Sequence, residues 1–368
     1  MKRWLRRLLI LVGALVVVAV LLVGSSPVDP VAFRPPPKPA LGGRYLPNRD
    51  LLAARRIAEG RVRGPEDVAF DGQAWLYTGN ADGKVVRVSL LGGEAVSDFA
   101  DTGGRPLGLR FDAQGRLLVC DARKGLLAID REGRVSTLAT EAGGRPFRFT
   151  NNLDVAGDGT VYFTDASDTY GADDYLLDLL EARPHGRLLR YDPKTGETKV
   201  LLDGLHFANG VALAPDQSYV VVAETYRYRL IRYWLAGPHA GRSQVFVENL
   251  PGFPDNVSLG EGGFWVAFFT LRNDSTDALH PYPLAKKLLA RLPRVFWPKP
   301  ARYGFVALID ERGRVLQSLH DPAGERVFEV TTAREHDGIL YLGNLHQDWL
   351  ARYTLRRSFL PLRVPERP

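Results

Sequence analysis

Four oxygen-bearing residues, Glu66, Asn151, Asn209 and Asp255, lie far apart in the chain yet stand at the same point of a repeated pattern. In each copy a polar residue leads into an apolar strand, a turn and a second, more hydrophobic strand. The copies read PEDVAFDGQAWLYTG, RPLGLRFDAQGRLLVCD, TNNLDVAGDGTVYFTD, FANGVALAPDQSYVVVAE, FPDNVSLGEGGFWVAFF and FEVTTAREHDGILYLGN. Two carboxylates and two amide carbonyls form a hard ligand set. It suits Ca²⁺, which completes a shell of about six to eight oxygens with water or substrate, whereas zinc or iron would want His or Cys.

For these residues to meet, the fold must carry strand starts from distant repeats to one axis. Taking Thr78, Cys120, Thr164, Ala223, Ala267 and Leu342 as equivalent, the intervals between successive copies run 42, 44, 59, 44 and then 75. Repeats of roughly 40 to 50 residues with period-two alternation are propeller blades, since a helical solenoid would need a period of about 3.6 residues. The sequence therefore predicts an all-β fold, a six-bladed β-propeller. In each blade the innermost strand leaves one face and the second returns to it, so the polar starts share that face: Glu66, Pro106, Asn151 with Asn152, Asn209, Asp255 with Asn256, and Glu329.

The two long intervals are insertions in blades three and five, at about 168–185 and 272–303, and they must emerge on the same face. In 173–183, Tyr175, Leu176, Leu179 and Leu180 fall on one helical side, with Asp174, Asp178 and Glu181 elsewhere. The second insertion starts a helix at Pro283, with Leu284, Leu288, Leu289 and Leu292 on one face and Lys286, Lys287 and Arg291 away from it; Phe296 and Trp297 follow. Short helices are expected at both places, as blade-edge covers or as an apolar lid that also rests on a bilayer and favours lipophilic substrates.

Composition removes other classes. Of the 368 residues 45% are hydrophobic and 24% charged, and the 37 Gly with 25 Pro fit many turns. That is a globular balance. Lys2, Arg3, Arg6 and Arg7 supply four of the six net positive charges, so no basic patch is left for nucleic acid. Cys120 is the single cysteine, which excludes an intramolecular disulfide and a cysteine-based zinc site; its setting, LLVCD, reads as a buried strand thiol. There is no G-x-S-x-G, H-E-x-x-H or P-loop.

The cationic start followed by the apolar run 8–23 reads as an N-terminal transmembrane helix, a signal-anchor over 1–24, with a cleaved signal as the alternative. The positive-inside rule then sends the rest to the extracytoplasmic side, periplasmic or lumenal. A Pro-rich tether at 25–45 would join the anchor to a propeller at 46–356, leaving a tail at 357–368.

The segments GPEDVAFD, NNLDVAGDGTVYFTD, YLLDLLEARPHGRLLRYDPKTGETKVLLDGLHFANGVALAPD, FVENLPGFPDN, LHDP and EHDGILYLGN resemble the strictosidine synthase-like family. The resemblance runs from about Gly64 to the end of blade six. It implies a six-bladed propeller related to gluconolactonases, paraoxonases and diisopropyl fluorophosphatase. In those hydrolases a Glu, two Asn and an Asp hold Ca²⁺ in the channel, which here fall on Glu66, Asn151, Asn209 and Asp255. True strictosidine synthase instead performs a metal-independent condensation with a Glu at the start of its last blade, and Glu329 meets that position only across a two-residue gap. The resemblance therefore implies a Ca²⁺-dependent hydrolase of esters or lactones, arylesterase- or lactonase-like, with a synthase-like enzyme using Glu329 and a non-catalytic binding propeller as alternatives. For the base, His346 follows the second strand of blade six on the site face, His206 precedes Asn209 by three positions, and Asp255 could act beside the metal. His336 belongs to the opposite face.

Overall fold

Period-two alternation leaves each strand with an apolar side that must be covered, and stacking blade on blade around an axis covers both sides of every sheet. The computed structural model describes residues 2–356; the side chains at 2, 15, 16, 18 and 19 and the tail expected at 357–368 lie outside the described residues. Six four-stranded antiparallel sheets form the ring, with innermost strands Val68–Phe70, Pro106–Phe111, Thr150–Val155, Ala208–Leu213, Gly252–Gly260 and Val330–His336. Blade six takes its outermost strand from the start of the chain, where Arg55–Ile57 pairs antiparallel with Leu350–Thr354. That short strand closes the ring.

The core is distributed between blades. Leu118, Cys120, Leu153 and Phe163 pack between blades two and three, and Val221, Leu230, Val257 and Phe264 between four and five. Similar clusters join every other neighbouring pair. Each fully buried Leu, Val or Phe contributes about 1.5–3 kcal/mol relative to exposure, so these dry interfaces can carry a polar axis.

Register decides which residues reach that axis. The pairs Val68↔Thr78, Leu109↔Val119, Leu153↔Phe163, Val211↔Val222, Val257↔Val266 and Ala333↔Leu342 are equivalent. Counting back two positions from each inner-strand member gives Glu66, Leu107, Asn151, Asn209, Asp255 and Thr331 as the axial ring. The expected starts Pro106 and Glu329 are thereby corrected to Leu107 and Thr331. In blades two to six a register shift spans the axial residue and the one after it. Such a bulge breaks simple counting from the strand's first residue. One position further in, Gly108 and Gly210 let neighbouring inner strands approach, for a Cβ on Gly210 would overlap the backbone of Asn256 and Val257.

Four α-helices are seen among the described residues: α1 (Lys2–Gly24), α2 (Tyr175–Glu181), α3 (Asp274–Leu279) and α4 (Pro283–Arg291). The sequence pattern does not announce α3. Asn273 Oδ1 caps it by accepting from the amides of Ser275 at 2.8 Å and Thr276 at 3.3 Å. Those amides are two of the orphan donors at the helix start. The anchor expected over 1–24 is helical in α1, but among the described residues no helix is long and apolar enough to cross a membrane. The polarity expected for α4 is partly reversed, while α2 keeps its expected apolar side inward and buries acids besides. Asp178, Glu181 and Lys286 are buried, whereas Leu284 is 67% exposed. Glu181 and Lys286 are drawn inward by the segment 25–38, which lies against these helices, whereas the Asp178 carboxyl is buried with no hydrogen-bond partner.

Gly210→Ala should destabilise the propeller by about 3 kcal/mol or more, because the apposed backbone has nowhere to move. Gly42→Ala, which adds its carbon in open space, should change stability by no more than about 0.5 kcal/mol. The contrast follows from the surroundings of the two glycines. Thermal or denaturant unfolding followed by circular dichroism measures both; equal stabilities would show that the inner strands are not tightly apposed.

Candidate functional site

The axial ring opens into a cavity of about 400 Å³ on the face that carries the strand starts and insertions. Glu66, Leu107, Asn151, Asn209, Asp255 and Thr331 all line its floor. The four candidate ligands share one property: Glu66 Oε2, Asn151 Oδ1, Asn209 Oδ1 and Asp255 Oδ1 are buried and have no hydrogen-bond partner. Unpaired buried oxygens cost free energy unless something satisfies them, and four converging on one pocket form a cradle for a cation. Burial, then repulsion from Asp255 and Asp67, holds the Glu66 carboxyl well above the usual carboxylate range, and burial pushes Asp255 upward as well. Among the described residues no group of three or more His, Cys, Asp and Glu could hold a metal, so a cation here would rest on amide oxygens as much as on carboxylates. That donor chemistry fits a hard divalent ion.

The ring is held by the layer beneath it. Asp67 is fully buried, accepts from Arg110 Nη1 (2.7 Å), Thr332 Oγ1 (2.9 Å) and Asn152 Nδ2 (3.3 Å), and so ties blades one, two, three and six together. Asn256 Nδ2 donates to Glu66 Oε1 at 2.8 Å, fixing that carboxylate while leaving its second oxygen free. Buried hydroxyls hold the backbone at ring positions: Thr331 donates to the Glu66 carbonyl and Thr164 to that of Asn209, each at 2.7 Å.

A second ring sits two positions before the first: Gly64, Arg105, Phe149, Phe207, Phe253 and Glu329. The three phenylalanines and Arg105 line the cavity, giving it apolar walls that Tyr175, Leu179 and Tyr226 extend. Arg105 is nearly buried; one terminal nitrogen donates to the Gly64 carbonyl at 2.8 Å and the other has no partner. Acidic residues ending second strands position this ring, since Asp121 Oδ1 accepts from the Arg105 amide and Asp165 Oδ1 from the Phe149 amide, each at 2.9 Å. Sequence reasoning missed the second ring, although F-x-[ND] recurs at Phe149, Phe207 and Phe253 in successive blades and could have exposed it.

The two histidine candidates separate, and His336 lies on the opposite face as expected. His346 lines the cavity, and its Nδ1 lies 3.1 Å from Glu329 Oε2, which also accepts from Gln347 Nε2 at 3.1 Å. Burial would raise the Glu329 carboxyl, but the hydrogen bond and charge of His346, with Gln347, outweigh it and hold the group low. Glu329 belongs to the second ring and is not among the cavity-lining residues. Its backbone is in the left-handed region, at φ 53°. That conformation is strained for a residue with a Cβ. His206 also stays outside the cavity. Its amide and Nδ1 bond Glu224 Oε1 at 2.8 and 2.7 Å, which makes it the blade-four version of the strand-end clamp. His336 stacks on Phe70 at 4.1 Å, at the far end of the blade-six inner strand. Cys120 is fully buried between blades, and burial pushes its thiol up, away from nucleophilic use.

Known proteins share this architecture. Residues 151–238 match the profile described as strictosidine synthase, and residues 43–88 match that of the strictosidine synthase-like N-terminal region. The adipocyte plasma membrane-associated protein of Rattus norvegicus is 38% identical over 354 residues, covering 90% of this chain and 94% of its own. The strictosidine synthase-like 6 protein of Arabidopsis thaliana is 37% identical, covering 83% of each. Among solved structures, a gluconolactonase from Xanthomonas campestris superposes with a TM-score of 0.61 at 19% identity over 90% of this chain and 99% of its own, and a calcium-binding regucalcin from Agrobacterium tumefaciens with 0.58 at 13% over 82% and 95%. At those identities the likeness shows the propeller fold alone. Identity above one third over nearly the whole chain is what settles descent: this chain belongs to the strictosidine synthase-like family.

Proposed function

We propose that this protein is a divalent-cation-dependent hydrolase of esters or lactones, with Ca²⁺ as the ion. The observation that carries this is the set of four buried, partnerless oxygens contributed by four blades at the floor of one cavity. Glu66, Asn151, Asn209 and Asp255 would hold the ion, which when bound supplies Lewis-acid polarisation of a carbonyl oxygen. The likeness to propellers described as gluconolactonase and calcium-binding regucalcin supports the same reading.

The chain's own residues account for the rest. Phe149, Phe207 and Phe253 receive an apolar acyl or aryl group and exclude water around it. The free Arg105 nitrogen is available to an oxygen of the substrate. His346, oriented through Nδ1 by Glu329, keeps Nε2 free to take the proton of an attacking water; the same proton can return to the departing alkoxide, giving acid and alcohol, or a hydroxy acid from a lactone. Glu329 thus acts through His346, which differs from a condensing role of its own. The substrate is a lipophilic ester or lactone whose reacting part fits about 400 Å³.

For location, the cationic start, the α1 helix and the relatives named as plasma membrane-associated together support a membrane anchor with the propeller on the extracytoplasmic side.

Calorimetric titration of the full chain with Ca²⁺ should give one site, weakened about 100-fold or more in Asp255→Ala because a carboxylate ligand is gone. An absence of stoichiometric binding by the wild type would overturn the cation site. In turnover, hydrolysis of phenyl acetate or a small lactone should vanish on chelation, return with Ca²⁺, and fall about 100-fold in His346→Gln, where the base is lost. Activity that survives chelation and Asp255→Ala but disappears in Glu329→Gln would replace this mechanism with the synthase-like one.

A further inference from the structure

The segment 25–38 lies across α2 and α4, outside the cavity lining, as a docked strap. Its amide at Asp29 donates to Glu181 Oε1 (2.8 Å) and that at Val31 to the Glu181 carbonyl (3.0 Å), on α2. The buried Lys286 of α4 donates to the Val31 carbonyl at 2.6 Å, and Arg183 bonds the Asp29 carboxylate at 2.7 Å. Phe33 donates its amide to the His280 carbonyl (3.1 Å), lies under the Arg227 guanidinium (3.7 Å), and joins the apolar cluster that includes the cavity residues Phe149, Phe207 and Phe253. Further on, Arg272 holds the Pro36 carbonyl at 2.7 Å and Asn249 that of Pro37 at 3.0 Å. A segment with this many specific anchors is no flexible spacer, so α1 leaves the propeller at one defined place.

That place is beside the cavity: α4 packs against α2, whose Tyr175, Leu176 and Leu179 line it, Arg294 after α4 donates to the carbonyl of the lining residue Asp173 at 3.3 Å, and Pro298 to Pro300 line it as well. Ser26 Oγ donates to the Lys287 carbonyl (3.1 Å), Arg291 bonds the Ser25 carbonyl, and α1 packs against α4. Immediately beside it Tyr282, Leu284, Leu292, Val295 and Phe296 are exposed, Leu284 at 67% and Phe296 at 65%. Along α1 itself Trp4, Leu9, Ile10, Val17, Val20 and Leu21 are exposed on all sides. A helix apolar all round has hydrocarbon as its fitting solvent, and an apolar rim continuous with it shares that solvent. This holds for a helix that crosses the bilayer and for one that lies in its interface.

We propose that the strap locks the cavity mouth against the lipid bilayer, with the α4 rim seated in the interface, so that the pocket draws amphiphilic esters from the membrane rather than from bulk water. The orientation stands apart from the hydrolase reading; only the substrate half rests on it. Because the apolar walls of the cavity lie between the rim and the ring of oxygens, an ester entering from the lipid side keeps its hydrocarbon part covered throughout.

The test uses the full chain reconstituted in liposomes of phosphatidylcholine and phosphatidylglycerol. An environment-sensitive fluorophore is attached at Leu284→Cys, at Phe296→Cys, and at Gln114→Cys in a turn on the opposite face; the native Cys120 is buried and does not label. Doxyl-labelled lipids should quench the two rim positions and leave position 114 unchanged. Chains that do not bind the vesicles, or equal quenching at all three positions, would overturn the proposal. Rim labels left unquenched on vesicle-bound protein would assign that face to a protein partner and overturn it as well. In a second arm, Leu284→Asp combined with Phe296→Asp should slow hydrolysis of a long-chain aryl ester embedded in vesicles about tenfold while leaving a water-soluble aryl ester unaffected. Equal rates on both substrates would remove the substrate half. If the wild type cleaves neither ester, the hydrolase reading fails, while the quenching pattern still decides the orientation.

Discussion

The burial of acidic side chains on the propeller axis is the constraint around which this molecule is organised. Asp67 is neutralised by Arg110 and filled with hydrogen bonds from neighbouring blades. Glu66 and Asp255, one layer nearer the cavity, are not: each keeps an oxygen with no partner, beside two amide oxygens in the same state. Leaving such groups unsatisfied costs on the order of a few kcal/mol each, which a structural axis would avoid by using apolar residues. Leu107 and Thr331 show that the ring can be built without acids. The retained cost is therefore concentrated in blades one, three, four and five, which present oxygen to the axis, and it is offset by the dry cores between blades.

The two layers divide the labour. The lower layer, with Asp67, Asn152, Asn256 and Thr332, has its polar groups aimed across blade boundaries, so it sets the distance between inner strands and holds the upper ring still. The upper ring and the aromatic ring outside it face open space. Rigidity below and free valence above are the combination that a binding or catalytic floor needs.

The roof follows a different logic. Helices α2, α3 and α4 are short, and α2 and α4 bury charged side chains, which isolated helices of that length could not sustain. They are stabilised by the strap, whose carbonyls and carboxylate meet Lys286, Arg183 and Arg272. The chain preceding the propeller thus becomes part of the site's enclosure, and the same contacts decide where α1 departs. Closure of the ring by Arg55–Ile57 adds a second dependence of the propeller on its own N-terminal side.

What the sequence by itself determined was whatever repeats: strand alternation, the regular spacing of turns, the count of blades, the face on which insertions emerge, and four oxygen donors at equivalent positions. These are legible because each blade solves the same local problem and leaves the same residue pattern. The structure alone decided that Leu107 and Thr331, rather than Pro106 and Glu329, complete the ring, since bulges shift the register after the strand starts. It alone joined Glu329 to His346 and assigned His206 to Glu224, because those pairs are set by loops whose paths no periodicity encodes. It buried Glu181 and Lys286, which the pattern had placed outward, for the same reason: a helical face is defined by what packs on it, and here the packing partner is the strap, from an earlier part of the chain. Periodic patterns report local burial, whereas a site is assembled from contacts between distant segments, and only tertiary structure states those.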